Sequence, residues 1–326
     1  MNPFAQDRAD RIDSIGETAL IGRIRKWLGH ACPPAPFGIG DDCSLLRLSP
    51  FETQLLTTAD PVIYGSHFDE RHSPQQAARK LLRRNLSDIA AMGGVPKIAT
   101  LSLAIPGNLS LAWIESFYGA LAEDAVRYET LIVGGDVTAT KDYLGLFMTL
   151  NGVASERVLE RGRASANSPI YVTGTLGGSI RKKHCSFEPR LKEGQWLAGY
   201  ADTVACMDLS DGLGKDALGL VDGGLGIRLK SDRIPVSADA LELANGDRLK
   251  ALERAVNDGE DYELLFALSP GADCGAFEAL WAENPFAQIA RIGYVNELAE
   301  GDAPIAFEDQ SIRCAFSGYE HFRTTG

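Results

Sequence analysis

Residues 74–92 read PQQAARKLLRRNLSDIAAM, and this stretch decides the architecture. At 100° per residue Ala77, Leu81, Leu82, Asn85, Ile89 and Met92 share one face of a helix, and Pro74 suits its first turn. Arg79, Lys80, Arg83 and Ser87 fall on the opposite side. Asp88 lies inside the apolar stripe, between the directions of Ala77 and Leu81. A carboxylate on a core-facing side is costly unless a cation or several donors meet it. A metal ion would meet that need. Backbone N–H groups, or Arg84 four residues earlier, would meet it equally well on this helix alone.

Upstream, a strand over 54–58 delivers Asp60, preceded by Gly38-Ile39-Gly40-Asp41-Asp42. A capping box at Ser14-Ile15-Gly16-Glu17 opens an apolar helical stripe that runs to about Gly29. Downstream come a strand over 98–105, a helix over 111–128, and a short buried strand over 131–133 that runs into Gly134-Gly135-Asp136. A strand over 143–153 follows. This mixture predicts an α/β (α+β) fold, with mixed sheets packed by helices and ligands near strand ends. The Arg-, Ser- and Ala-rich stretch 156–167 marks a boundary, giving domains 1–160 and 161–326. Beyond it lie a strand over 170–173 closing on a Gly-rich turn, then Asp208-Leu209-Ser210-Asp211-Gly212 before a helix-like run. Asp258-Gly259-Glu260-Asp261 then opens a strand over 262–268.

Composition narrows the function. The 326 residues are 45% hydrophobic, and 32 basic against 44 acidic side chains give a net charge of −12. Such a surface repels nucleic-acid phosphates, and the densest basic run is only Arg181-Lys182-Lys183. The longest uncharged stretch, 98–114, is broken by Pro106-Gly107-Asn108 and is too short to span a bilayer. Residues 1–13 lack the apolar centre of a signal peptide. The six cysteines are too scattered for a zinc ribbon or a disulfide framework, and buried free thiols are expected. A cytoplasmic protein bound to neither membrane nor nucleic acid is the expectation.

Four acidic loops share one grammar: Asp41-Asp42, Asp60, Asp136 and the Asp208/Asp211 pair sit at the ends of apolar runs beside small residues, and Asp88 on its helix makes a fifth acidic site. For any single site a turn-capping Asp is the simpler reading. Together they form a set of hard oxygen ligands without Cys or His clusters, which suits Mg²⁺ holding a polyphosphate. Familiar phosphate and hydrolase motifs are missing: Gly214-Lys215 is no P-loop, and Gly38-Ile39-Gly40 lacks the third Gly of a dinucleotide fingerprint. On spacing alone His67 and His72 read as a solvated loop pair, and Glu260, Asp261 and Glu263 as a strand entry with one wet face.

The motifs GIGDDC (38–43), TTAD (57–60) with His67-Phe68, NLSDIAAMG (85–93), GGD (134–136), YVTGT (171–175), MDLSDGL (207–213), GEDYEL (259–264) and GYEHF (318–322) resemble the thiamine-monophosphate kinase family. That family belongs to the aminoimidazole-ribonucleotide-synthetase-like superfamily, and the motifs run in order along almost the whole chain. The resemblance implies a two-domain fold, a homodimer joined through its N-terminal sheets, and Mg²⁺-dependent phosphorylation of thiamine monophosphate by ATP. By position it implies Asp42, Thr58, Asp60, Asp88, Asp136, Asp208 and Asp211 as metal ligands. It places Tyr118, Gly135, Asp136, Arg161 and Ser210 on ATP, and His67, Glu260 and Tyr319 on the substrate. Asp60, Asp88, Asp136 and Arg161 carry the catalysis in this reading.

The sequence departs from the family pattern in places. Ala59 stands where Thr is usual, Asp258 replaces a Gly, and the stretch after Gly178 is shortened to SIRKKHCSFEPR (179–190). Two further readings stay open: another ATP-using enzyme of the superfamily, such as aminoimidazole ribonucleotide synthetase, and a non-catalytic nucleotide- or thiamine-phosphate-binding homologue.

Overall fold

The computed structural model describes residues 36, 41, 44–48, 53–106, 109–141 and 143–319. The expected helix after Ser14, the Gly38–Gly40 loop and Asp42 lie outside the described residues.

The central helix forms as its sequence dictates. Helix α1 (Pro74–Ala91) starts on a capping box in which Ser73 Oγ accepts from the Gln76 N–H and Gln76 Oε1 accepts from the Ser73 N–H. It stops at Gly93, whose φ of +68° and missing Cβ let Ala198 approach; a Cβ there would lie 2.6 Å from that side chain. One expectation about this helix is corrected. The side carrying Lys80, Arg83 and Ser87 is as buried as the apolar stripe, with Lys80 at 0% exposure. A second layer of the protein covers it.

The first layer is a five-stranded sheet of β1 (Ser44–Leu48), β2 (Thr53–Ile63), β3 (Gly94–Pro106), β4 (Leu131–Thr140) and β5 (Gly145–Ala154) in the order β1-β2-β5-β3-β4. All neighbours are antiparallel except β3 and β4, which are parallel and joined through helix α2 (Leu111–Arg127), as a parallel crossover requires. The strand expected over 131–133 thus continues through Gly134-Gly135-Asp136 to Thr140 instead of ending in a loop. Gly135 permits this, because a Cβ there would fall 1.8 Å from the Leu101 carbonyl oxygen on β3.

The second layer is a six-stranded sheet in the order β11-β8-β10-β6-β9-β7. It contains β6 (Pro169–Thr173), β7 (Thr203–Asp208), β8 (Leu225–Leu229), β9 (Leu264–Leu268), β10 (Ile289–Glu297) and β11 (Ile305–Phe307). Helices α3 (Lys183–Ser186) and α4 (Leu191–Gly199) and strand β7 lie against α1. The main core accordingly runs from Leu56, Leu81, Leu86 and Ile89 on to Tyr171, Phe266, Phe277 and Trp281. Burial of this apolar surface on both sides of α1 fixes the helix between the layers. Beyond α4 the chain adds α5 (Leu213–Asp216), α6 (Ala238–Leu243), α7 (Arg248–Asn257) and α8 (Cys274–Ala282).

Candidate active site

Three elements bring three carboxylates together. Asp60 lies on β2, Asp88 on α1, and Asp208 at the end of β7. Asn85 locks the first two elements by accepting the Asp60 N–H at 3.0 Å. Ser87 donates to Asp208 Oδ2 at 2.6 Å, tying α1 to the second sheet. Thr58 donates its hydroxyl to Asp88 Oδ2. Arg84 does not reach back to Asp88; its Nε lies 3.1 Å from Asp60 Oδ2.

The group is short of positive charge. Burial pushes the Asp88 carboxyl well above the usual carboxylate range, and the charges of Asp60 and Asp208 push it further, against Thr58 and Arg84. Asp208 is raised by burial too, with Ser87 and Arg161 opposing and Asp60 and Asp211 adding to the rise. Ionised together, these carboxylates call for added cations, and an all-oxygen donor set of this kind fits Mg²⁺.

Arg161 stands at the rim. Its N–H donates to Asp41 Oδ2 at 3.1 Å, and its guanidinium lies 3.7 Å from Asp41 and 4.0 Å from Asp208. Burial raises the Asp41 carboxyl to about 6. The loop after β7 brings in the next group. Asp216 Oδ2 accepts the N–H groups of Asp211 and Gly212 at 2.9 and 3.0 Å, which folds this turn, and Asp211 Oδ2 meets Lys215 Nζ at 2.6 Å. Tyr319 docks on the same turn, its N–H donating to the Asp211 carbonyl at 2.9 Å and its own carbonyl accepting from Lys215 Nζ. The Ser210 carbonyl accepts the Glu260 N–H at 2.7 Å. Ser210, Asp211, Glu260 and Tyr319 therefore share one neighbourhood.

Lys80 is the residue that the sequence reading passed over. Its ammonium, at 1% side-chain exposure, meets Glu260 Oε1 at 2.6 Å and donates to the His67 carbonyl at 3.0 Å. It joins the two residues assigned to substrate from opposite layers. The solvated histidine pair is thereby corrected: His67 Nδ1 accepts the Ile63 N–H at 3.1 Å, and the half-buried His72 turns instead to His184. The wet strand entry is also corrected. Asp261 and Glu263 are 1% exposed, because Arg190 and Lys183 from the shortened stretch neutralise Glu263 at 2.7 Å each and Thr173 donates to it at 2.6 Å.

Three assigned positions stand apart within one chain. Asp60, Met148, Leu101 and Gly135 are in register across the first sheet. Gly135 and Asp136 are therefore three strand spacings, about 14 Å, from Asp60. Asp136 is exposed and accepts from Thr138 Oγ1 at 2.9 Å. Tyr118 lies on the outer side of α2, 40% exposed and edge-on to Phe117.

Asp261 yields a pH prediction. Burial raises it to about 7 from an ordinary 3.8, with Lys183 opposing. Between these values the folded chain holds a proton that the unfolded chain has lost, so stability falls as pH rises through this window. Asp261→Asn cannot ionise and removes that share. The stability lost between about pH 4.5 and about pH 7.5 should shrink by about 3 kcal/mol in denaturant titrations. An unchanged difference would show that Asp261 ionises freely.

Comparison with known proteins places this geometry. Residues 40–154 match the family model "AIR synthase related protein, N-terminal domain". The thiamine-monophosphate kinase of Salmonella typhimurium is 33% identical over 340 residues, covering 95% of this chain and 99% of the relative. The chain belongs to the thiamine-monophosphate kinase family. The Escherichia coli K12 member is also 33% identical, over 336 residues, with 95% and 99% coverage. Solved structures agree. AaThiL complexed with AMPPCP and TMP superposes with a TM-score of 0.81 at 27% identity, covering 97% of this chain and 100% of that one. A HypE–HypF complex, at 15% identity and a TM-score of 0.65 over 91% and 97%, shares the fold. The thiamine-monophosphate kinase family thus accounts for the two-sheet fold. Among the described residues no helix is long and apolar enough to cross a membrane.

Proposed function

We propose that this protein transfers the γ-phosphoryl group of ATP to thiamine monophosphate, giving thiamine diphosphate and ADP. The observation that carries the reading is the meeting of Asp60, Asp88 and Asp208 from three elements beside Arg161, in a chain of this family. The acceptor is already a phosphate monoester, largely dianionic near neutral pH, so its oxygen attacks the γ-phosphorus without a general base while ADP leaves. The task left to the protein is to hold two anions in line and neutralise them.

Asp60, Asp88, Asp208 and Asp211, with Thr58 and Asp42, would hold Mg²⁺, which supplies charge neutralisation to the polyphosphate when bound. Arg161 and Ser210 orient ATP from the rim. His67, Glu260 and Tyr319 orient thiamine monophosphate, Tyr319 by stacking on a ring of the substrate. Gly135, Asp136 and Tyr118 complete the ATP and metal contacts in a homodimer. In support, Leu131, Val133 and Val137 on the edge strand β4 are 67%, 54% and 63% exposed, an apolar edge of the kind a second copy covers. This reading keeps the domain limits at 1–160 and 161–326 and places the protein in the cytoplasm.

The test incubates the protein with ATP, Mg²⁺ and thiamine monophosphate and follows products by mass spectrometry. Thiamine diphosphate and ADP should appear in equal amounts, with no ADP when acceptor is omitted. ADP formed equally without acceptor would favour another superfamily enzyme, and no ADP at all a binding protein. Arg161→Ala should raise the KM for ATP about 10- to 100-fold, the worth of a charged hydrogen bond. An unchanged KM would remove Arg161 from the nucleotide site.

A further inference from the structure

A second cluster of ligating side chains lies outside the acidic group. His72 precedes α1, and His184 and Cys185 sit on α3, so 112 residues separate the two histidines in sequence. Their Nε2 atoms are 3.0 Å apart, with the rings at 87°. One ligand atom from each of the three residues lies within 4.8 Å of the others. His184 and Cys185 are 5% and 2% exposed.

The hydrogen bonds behind the rings decide what the cluster wants. His184 Nδ1 lies 2.9 Å from the Ser179 carbonyl oxygen, which can only accept, so Nδ1 carries the proton and Nε2 of the neutral ring is a bare lone pair. His72 Nδ1 lies 2.9 Å from the Asp69 carboxylate and 3.2 Å from the Asp69 N–H. The shorter, charge-assisted contact favours the proton on Nδ1 here too. With the proton on Nδ1 of both rings the two Nε2 lone pairs face each other at 3.0 Å, and a cation, either a proton or a metal ion, must lie between them. A tetrahedral ion with metal–nitrogen bonds of about 2.0–2.1 Å places two such nitrogens about 3.3 Å apart. Both rings are held from behind by an oxygen acceptor, as metal-bound imidazoles are.

We infer that His72 Nε2, His184 Nε2 and Cys185 Sγ form a site for a borderline-soft divalent ion of the Zn²⁺ type, distinct from the carboxylate group. Two imidazoles and a thiolate select such an ion over Mg²⁺. Three protein ligands leave a fourth position open. His72 also lines a cleft of about 930 Å³ that includes Tyr64, Phe68 and Trp113, which brings this one ligand within reach of solvent. The ion clamps the loop after β2, which carries His67, to the second layer. The inference is independent of the reaction proposed above.

The experiment titrates the full-length, chelator-treated protein with Co²⁺ in excess Mg²⁺. One equivalent should produce intense visible bands of tetrahedral Co²⁺ and a thiolate-to-cobalt charge-transfer band, both bleached by one equivalent of Zn²⁺. Cys185→Ser should lose the charge-transfer band and bind Zn²⁺ about 100-fold more weakly, and Asp69→Asn about 10-fold more weakly. His72→Ala offers the same readout should Cys185→Ser fail to fold. Only weak octahedral bands in the unaltered protein would overturn the site and leave a plain His–His hydrogen bond. A charge-transfer band that survives in Cys185→Ser or His72→Ala would overturn it as well.

Discussion

Asp88→Asn should lower kcat by about 10³-fold and leave the fold intact, the scale expected when a preorganised charge contact is removed from a transferring group. The substitution keeps shape: an Asn oxygen can still accept from Thr58, so the α1–β2 contact survives. What it removes is a carboxylate that burial and the charges of Asp60 and Asp208 already hold far above its ordinary range. Without Mg²⁺ the variant should therefore melt at or above the temperature of the unaltered protein, because a repelling charge has gone from a crowded recess. With Mg²⁺ the order should reverse, since ligand-linked stabilisation grows with affinity for the folded state. Two measurements check this: steady-state kinetics, and melting curves with and without Mg²⁺. Activity within about 10-fold of the unaltered protein would place the metal elsewhere.

The legible parts of this molecule are those fixed by neighbours in sequence. Pro74 and the apolar period announced α1 within one residue of its observed end, and Asp88 stood out because one helical period sufficed to place it. The strands expected over 98–105, 143–153, 170–173 and 262–268 lie within a few residues of β3, β5, β6 and β9, whereas β1, β7, β8, β10 and β11 were not read, β2 ran on to Ile63, and β4 ran on past Gly134-Gly135. Its edge pairing with β3, which no local pattern encodes, extended it. The errors concern layers. A single helical period shows one apolar face, so the burial of Lys80 and Ser87 under the second sheet had no local signal. Asp261 and Glu263 looked wet because their cations, Lys183 and Arg190, lie more than seventy residues away. Distance in sequence likewise hid the approach of His72 to His184.

Lys80→Met tests whether that buried ammonium organises the substrate side. The methionine fills similar volume but leaves the His67 carbonyl without its donor and takes the ammonium away from Glu260 Oε1. Breaking a fully buried pair costs about 3–5 kcal/mol. The Glu260 side chain retains 30% exposure, so solvent recovers part of this and about 2 kcal/mol is expected in denaturant titrations. The functional effect should be selective. His67 and Glu260 lose their common anchor, raising the KM for thiamine monophosphate about 10- to 100-fold, whereas the KM for ATP should move less than about threefold. Glu260→Gln alone should weaken the acceptor with less loss of stability, and Lys80→Met/Glu260→Gln should be more stable than Lys80→Met, because no uncompensated carboxylate remains. Equal changes in the two KM values would mean that Lys80 only holds the layers together. A double variant no more stable than Lys80→Met would mean that the two charges are not energetically coupled.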